Sequence, residues 1–128
     1  MANKFGEAAL IAARLDVPET VSAPERWDVA VRQLYPEKPY LQKKTAPRGA
    51  FLGLCEEGLV KGIARGQYAP SSKHKVYALR AVERLAAGTQ HTVNGLWADV
   101  TEGEEVAHNA QMDVVLALWK NGLIASKS

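Results

Sequence analysis

Apolar residues recur along this chain at three- and four-residue spacing, the mark of helices that bury one face. No stretch alternates with the two-residue period of a strand over more than a few positions. Phe5, Ala8, Ala9, Ala12 and Leu15 form the first stripe, with Asn3 placed to cap it and Pro18 to stop it. Ser22-Ala-Pro-Glu25 is a capping box opening a second helix, with Pro24 in its first turn. Trp27, Ala30, Val31 and Leu34 line its buried side, Asp28 and Arg32 pair outside, and Tyr35-Pro36 ends it. Residues 36–48, PEKPYLQKKTAPR, read as a loop.

A third helix starts at Thr45 or Ala46, with Pro47 in its first turn, and runs to about Glu57. Residues 62–72 carry turn formers again. Ser71 or Ser72 then caps a fourth helix reaching about Ala87, with Val76, Leu79, Val82, Leu85 and Ala86 inward, Lys73, Tyr77, Arg80 and Arg84 outward, and Gly88 as terminator. Trp97 and Val100 sit in a short fifth helix, about Val93 to Thr101. A sixth is expected from about Val106 to Asn121, apolar without a break from Val114 through Trp119 and therefore central.

The most apolar motif in the middle of the chain, Ala50–Ile63, has a near-copy at the C-terminus. Phe51, Leu52, Leu54 and Gly58-Leu59-Val60 fall on Val115, Leu116, Leu118 and Gly122-Leu123-Ile124, all at an offset of 64. Earlier helices match at an offset of 70, placing Ala8 on Ala78, Arg14-Leu15 on Arg84-Leu85 and Trp27 on Trp97. Two three-helix halves packed about a pseudo-twofold would account for both offsets; so would the shared composition of amphipathic helices.

One cause fits both copies of the motif. Gly58 and Gly122 suit the left-handed residue of a Schellman cap, in which the next residue packs on the helix four positions before the glycine. That rule pairs Leu59 with Leu54 and Leu123 with Leu118. The first copy, Phe51-x-x-Leu54-x-x-x-Gly58-Leu59-Val60, also resembles the recognition helix of winged helix-turn-helix proteins. The resemblance implies a wing over Lys61–Ala69 with Arg65-Gly66 at its tip. Thr45, Arg48 and Arg65 would face nucleic acid, and Lys43 and Lys44 would touch phosphates. The second copy has only four residues after Ile124, too few for a wing. Across most of the chain, the blocks NKFGEAAL, GAFLGLCEEGLVKGI and HNAQMDVVLALWKNGLI resemble a small uncharacterised bacterial protein family, which implies a coherent fold and no particular chemistry.

Charge adds an asymmetry that the net value of +2 hides. Residues 38–84 hold ten basic against three acidic side chains; residues 1–37 hold four against six, and residues 85–128 two against five. A basic middle between acidic ends attracts polyanions, or pairs with those ends. With 47% apolar and 23% charged residues, 128 residues suit one soluble domain. No apolar run approaches the roughly 18 residues of a membrane span. A single cysteine and an amphipathic N-terminus without a signal-peptide pattern point to the cytoplasm.

Candidate chemistry is sparse. Cys55, one turn beyond Phe51, reads as a small buried hydrophobe; as a nucleophile it would need a base, and His108 and His74 are the candidates. Glu56-Glu57 stand at a helix C-terminus, where the dipole disfavours them; a salt bridge to the basic stretch would compensate, or the two form a functional pair. His108 and Asp113 are five apart, which is not a helical metal spacing, so capping and inter-helix hydrogen bonds are the expectation there. His74, Lys73, Lys75 and Arg80 could hold a phosphate near the start of the fourth helix or simply solvate its face. No phosphate-binding glycine loop, metal-ligand spacing or serine elbow is present.

The expectation is therefore one all-α domain over residues 1–128, of about six helices, with halves 1–63 and 70–128 sharing a core. It is expected to act as a non-catalytic binding module without cofactor, metal or membrane. Nucleic acid or another anion would meet Lys43, Lys44, Arg48, Lys61, Arg65, Lys73, Arg80 and Arg84. The alternatives are a protein-interaction or homodimerising protein, and a small enzyme using Cys55 or His108.

Overall fold

The computed structural model describes residues 3–18, 20–68, 73–88 and 92–125. The expected caps Ser71 and Ser72 and the last residue of the expected wing, Ala69, lie outside them. The described residues form α1 (Phe5–Arg14), α2 (Ala23–Leu34), α3 (Pro39–Gln42), α4 (Thr45–Glu56), α5 (Lys73–Ala86), α6 (Val93–Val100) and α7 (Gln111–Lys120). The fold is all-helical, as the apolar spacing indicates. The four-residue α3 is the one addition, a single turn inside the Pro- and Lys-rich connection.

Local signals set the helix ends. The Asn3 side chain accepts from the Phe5 N–H at 3.0 Å, and Ser22 Oγ accepts from the Glu25 N–H at 3.4 Å. Thr92 caps α6 through the Gly95 N–H. Arg26, a residue only 6% exposed, donates from Nη1 to the carbonyls of Ala12 and Leu15 and closes the C-terminal end of α1.

The core begins at Trp27, stacked between Phe5 and Phe51 with centroids 6.5 and 5.2 Å away. α4 and α7 run through the interior: Phe51, Leu52, Leu54, Val114, Val115 and Leu118 are all buried. α1 packs on α2 and α7, α4 packs on α2, α5 and α7, and α6 closes over α5 and α7. The first helix of each sequence half thus lies against the last helix of the other.

The two glycine caps share one geometry. Gly58 and Gly122 take φ of 71° and 70°. The Leu59 N–H reaches the Leu54 carbonyl at 3.0 Å, and the Leu123 N–H reaches that of Leu118 at 2.9 Å. These are the long bonds of the Schellman motif. The segments that follow then pair with each other as an isolated antiparallel bridge, Val60 against Ile124. Lys61 N–H donates to Leu123 O and Ala125 N–H donates to Leu59 O, both at 2.8 Å. At the offset of 64, each bond is the image of the other.

Several expectations need correction. α4 does not present a reading face: Ala46, Pro47, Ala50, Phe51, Leu52, Leu54 and Cys55 are all buried. Residues 61–68 hold no strand pair; they fold back onto the end of α4, where the Tyr68 N–H reaches Glu56 Oε2 at 3.0 Å. The winged helix-turn-helix resemblance is therefore not carried by this fold. In α5 the helix turns Tyr77 inward (7% exposed) and leaves Val76 44% exposed, because the Tyr77 ring packs edge-on to Trp97 at 5.0 Å. The last helix starts at Gln111, not Val106. The Val106 carbonyl is held instead by the Trp97 indole N–H at 2.9 Å, and Ala110 turns left-handed at φ 73°. Asp28 bonds Arg48 of α4 at 4.0 Å, while Arg32, its expected partner, is exposed.

Candidate functional site

The basic middle of the chain meets the acidic ends. Arg48 pairs with Asp28, Arg80 with Glu102 at 3.3 Å and Arg84 with Asp99 at 3.0 Å. Arg80 also donates to the Val100 carbonyl at 2.9 Å, so both α5 arginines tie that helix to α6. At the C-terminal end of α4, Lys75 bridges Glu56 and Glu57, and Arg65 stands 3.9 Å from Glu57. The bonds from Lys75 hold the Glu57 carboxyl below its ordinary range, and those to Glu56 and Glu57 raise the lysine. Glu56 and Glu57, disfavoured by their own helix dipole, thus have compensating cations.

Of the eight residues expected to meet an anion, Arg48, Arg65, Arg80 and Arg84 face carboxylates. Lys44 lies over the Phe5 ring at 5.7 Å from its centroid. Lys43 borders a hollow of about 230 Å³ with Asp28 and Arg32. Lys61 is exposed beside the Val60–Ile124 bridge, and Lys73 is exposed at the start of α5. The eight are spread over several elements, with carboxylates among them.

A second cluster forms at the start of α7. Gln111 is 2% exposed; its Oε1 accepts from the Asn109 N–H at 2.7 Å and its Nε2 lies 3.3 Å from His74 Nδ1. His108 packs on Trp97 with centroids 4.9 Å apart, and its Nε2 accepts from the Met112 N–H at 3.1 Å. These bonds hold Ala110 in a left-handed conformation that costs a non-glycine residue about 1–2 kcal/mol. The imidazole is a helix cap, with Asp113 3.9 Å from the same nitrogen. Among the described residues, no group of three His, Cys, Asp or Glu side chains could hold a metal ion.

The cap makes stability depend on pH. Burial lowers the pKa of His108, with Asp113 opposing and Lys44 adding to the shift. The sign follows from protonation, which removes the lone pair that Met112 needs. The stabilisation is complete above the unfolded value of about 6.5 and is lost as the pH falls through the lower folded value. His74, also lowered by burial, acts in the same direction. We expect the melting temperature to fall across that window, and His108→Gln to flatten the slope. An unchanged slope in the variant would remove His108 from the account.

Cys55 is fully buried on α4. Burial pushes its thiol far above the ordinary range, against the opposing pull of Arg26. A thiol in that state is not a nucleophile. A disulfide reagent at neutral pH should modify Cys55 only as fast as the chain unfolds; rapid labelling of the folded protein would contradict this burial.

A third feature was not marked by the sequence. Leu79, Val82 and Glu83 of α5, Trp119 of α7, Leu59 beside the bridge and Ile124 within it line a cleft of about 270 Å³. Its wall is apolar apart from Glu83, which is exposed. The helical spacing places Leu79, Val82 and Trp119 on inward faces; the arrangement of α5, α7 and the bridge leaves a gap between those faces.

No curated protein and no solved structure matches the chain. A family model covers residues 2–125, nearly the whole length over which the apolar pattern, the two glycine caps and the capped start of α7 are laid out. On that match the chain belongs to DUF6979, a family of unknown function.

Proposed function

We propose that this chain is a non-catalytic binding module whose contact surface is the apolar cleft between α5, α7 and the Val60–Ile124 bridge. The observation that carries the reading is the cleft itself. At about 270 Å³ it approaches the range of roughly 300–1,000 Å³ of small-ligand sites, and it combines an apolar wall with one rim carboxylate. The buried Cys55 and the capping role of His108 weigh against the enzyme reading. The carboxylates facing Arg48, Arg65, Arg80 and Arg84 weigh against a nucleic-acid surface, which needs cations free to replace counterions.

The test is binding of N-phenyl-1-naphthylamine, a neutral apolar dye, followed by its emission and by energy transfer from tryptophan. Saturable binding to the native chain and its loss in Leu79→Glu, with helical circular dichroism retained, is the expected result. Equal binding to both forms would remove the cleft as the site. Duplex DNA in about 50 mM salt should show no saturable anisotropy change; binding that falls steeply by about 200 mM would restore the nucleic-acid reading.

A further inference from the structure

Among the described residues, Arg26 is the one charged residue that is buried, and none of the described carboxylates pairs with it. Burying a cation is costly unless a counter-charge or hydrogen bonds replace the water it loses. Here the replacement is partial. A guanidinium has five N–H donors, and both bonds that cap α1 leave from Nη1. Nε and Nη2 have no acceptor among the described residues. Neither is sealed in the core, because Trp27 Nε1 is the one fully buried side-chain nitrogen or oxygen there without a partner. Arg26 lines a hollow of about 120 Å³ between the start of α2 and residues 62–64, walled by Val21, Ala23, Ile63 and Tyr68. The hollow shares no lining residue with the apolar cleft. Its far wall is held in place: the Gly66 and Tyr68 N–H groups donate to Glu56, and the Tyr68 hydroxyl donates to the Ala64 carbonyl. The nearby carboxylates are engaged elsewhere, Glu56 by Lys75 and Glu25 by the Ser22 hydroxyl at 3.2 Å.

We infer that this hollow is a second binding site, which takes a short aliphatic carboxylate of about the size of propionate and holds it on the free Nε/Nη2 edge of Arg26. That edge presents two parallel N–H groups, the fork that matches the two oxygens of a carboxylate. One uncompensated positive charge suits a monoanion and not a phosphate dianion, which draws on several cations or backbone donors. Val21, Ala23 and Ile63 supply an apolar wall for a stem of one or two carbons. The positive end of the α2 dipole, which begins at Ala23, adds to the attraction. The bound anion would supply the counter-charge that the fold leaves out.

The experiment is an NMR titration of the full chain with sodium propionate at constant ionic strength, read at the Arg26 Nε–H and the Ala23, Ile63 and Ala64 amides. Saturable shifts at those groups, with a Kd on the order of millimolar for so small a ligand, are expected. Propionamide keeps the shape and lacks the charge, so it should bind on the order of 10-fold more weakly or not at all. Inorganic phosphate should also bind more weakly than propionate. Val21→Glu leaves the cap on α1 untouched, brings a competing carboxylate to the wall, and should weaken propionate by a similar factor with helical circular dichroism retained. Arg26→Lys keeps the charge but loses the fork, and should weaken it as well. Shifts that do not saturate, propionamide binding as tightly as propionate, phosphate binding at least as tightly, or an unchanged Kd in Val21→Glu would each overturn the proposal.

Discussion

Replacing Trp27 with alanine is expected to cost about 3–5 kcal/mol of unfolding free energy, the largest single loss in this fold. The indole is fully buried and stacks between Phe5 of α1 and Phe51 of α4. Phe5 also meets Tyr35, just past the end of α2, at 5.1 Å, so the aromatic cluster joins α1, α2 and α4. Alanine leaves a cavity that helices fixed on three sides cannot close. Trp27→Phe should behave differently. It keeps an aromatic ring in the stack, and the Trp27 Nε1 has no acceptor among the described residues, so no bond is lost with it. A cost below about 2 kcal/mol is expected for that variant. Urea unfolding of both proteins checks the pair: a phenylalanine variant as unstable as the alanine one would mean that the indole N–H is bonded.

Gly53→Val should cost about 2–3 kcal/mol, although valine is the better helix former. Gly53 lies where α4 crosses α5. A Cβ built there would stand 2.6, 2.7 and 2.9 Å from Cγ, Cβ and Cα of Lys75. The last of these is backbone, so a rotamer change cannot relieve the clash and the helices must separate. That movement also pulls Lys75 away from Glu56 and Glu57, exposing two carboxylates at a helix C-terminus that disfavours them. The gain in helix propensity from replacing glycine is under about 1 kcal/mol and does not offset this. Thermal unfolding decides it; a variant as stable as the native chain would show that α4 and α5 can move apart freely.

The separation between local and tertiary information is visible residue by residue. The Ser22 cap on the Glu25 N–H, the stripe of Phe5, Ala8, Ala9 and Ala12, and the burial of Trp27, Ala30 and Val31 are all present in the structure; the Glu25 carboxylate accepts from the Ser22 hydroxyl and not from its backbone N–H. So are the glycine caps, and Glu56 and Glu57 do meet basic partners. The caps and stripes depend on spacing within one or two turns, which the order of residues fixes directly; the partner of Glu56 and Glu57, Lys75, comes from another helix. Tyr77 and Val76 were reversed because a stripe on a helix is defined only to within about one position; the edge contact with Trp97 chose the aromatic ring. The late start of α7 carried no local mark, because alanine at 110 is not a residue that favours a left-handed turn. His108 and Gln111 hold it there with bonds to the backbone. Arg26 carries no local mark of its role; only the packing of α2 on α1 makes it the cap on that helix.

The candidate sites divide the same way. Composition brought out the basic middle and the acidic ends but could not say whether they met. The fold brings Asp28 to Arg48, Asp99 to Arg84 and Glu102 to Arg80 across elements far apart in sequence. The cleft beside Trp119 was invisible for a related reason: it is a gap between inward faces, and periodicity reports faces, not gaps. By itself the sequence determined the helical class, most helix ends and caps, and the faces that lie buried, because these follow from interactions among residues a turn apart. Which charges neutralise one another, how α5 is rotated and where an apolar surface stays uncovered were decided only by tertiary structure, because each depends on distances between helices that no local pattern encodes.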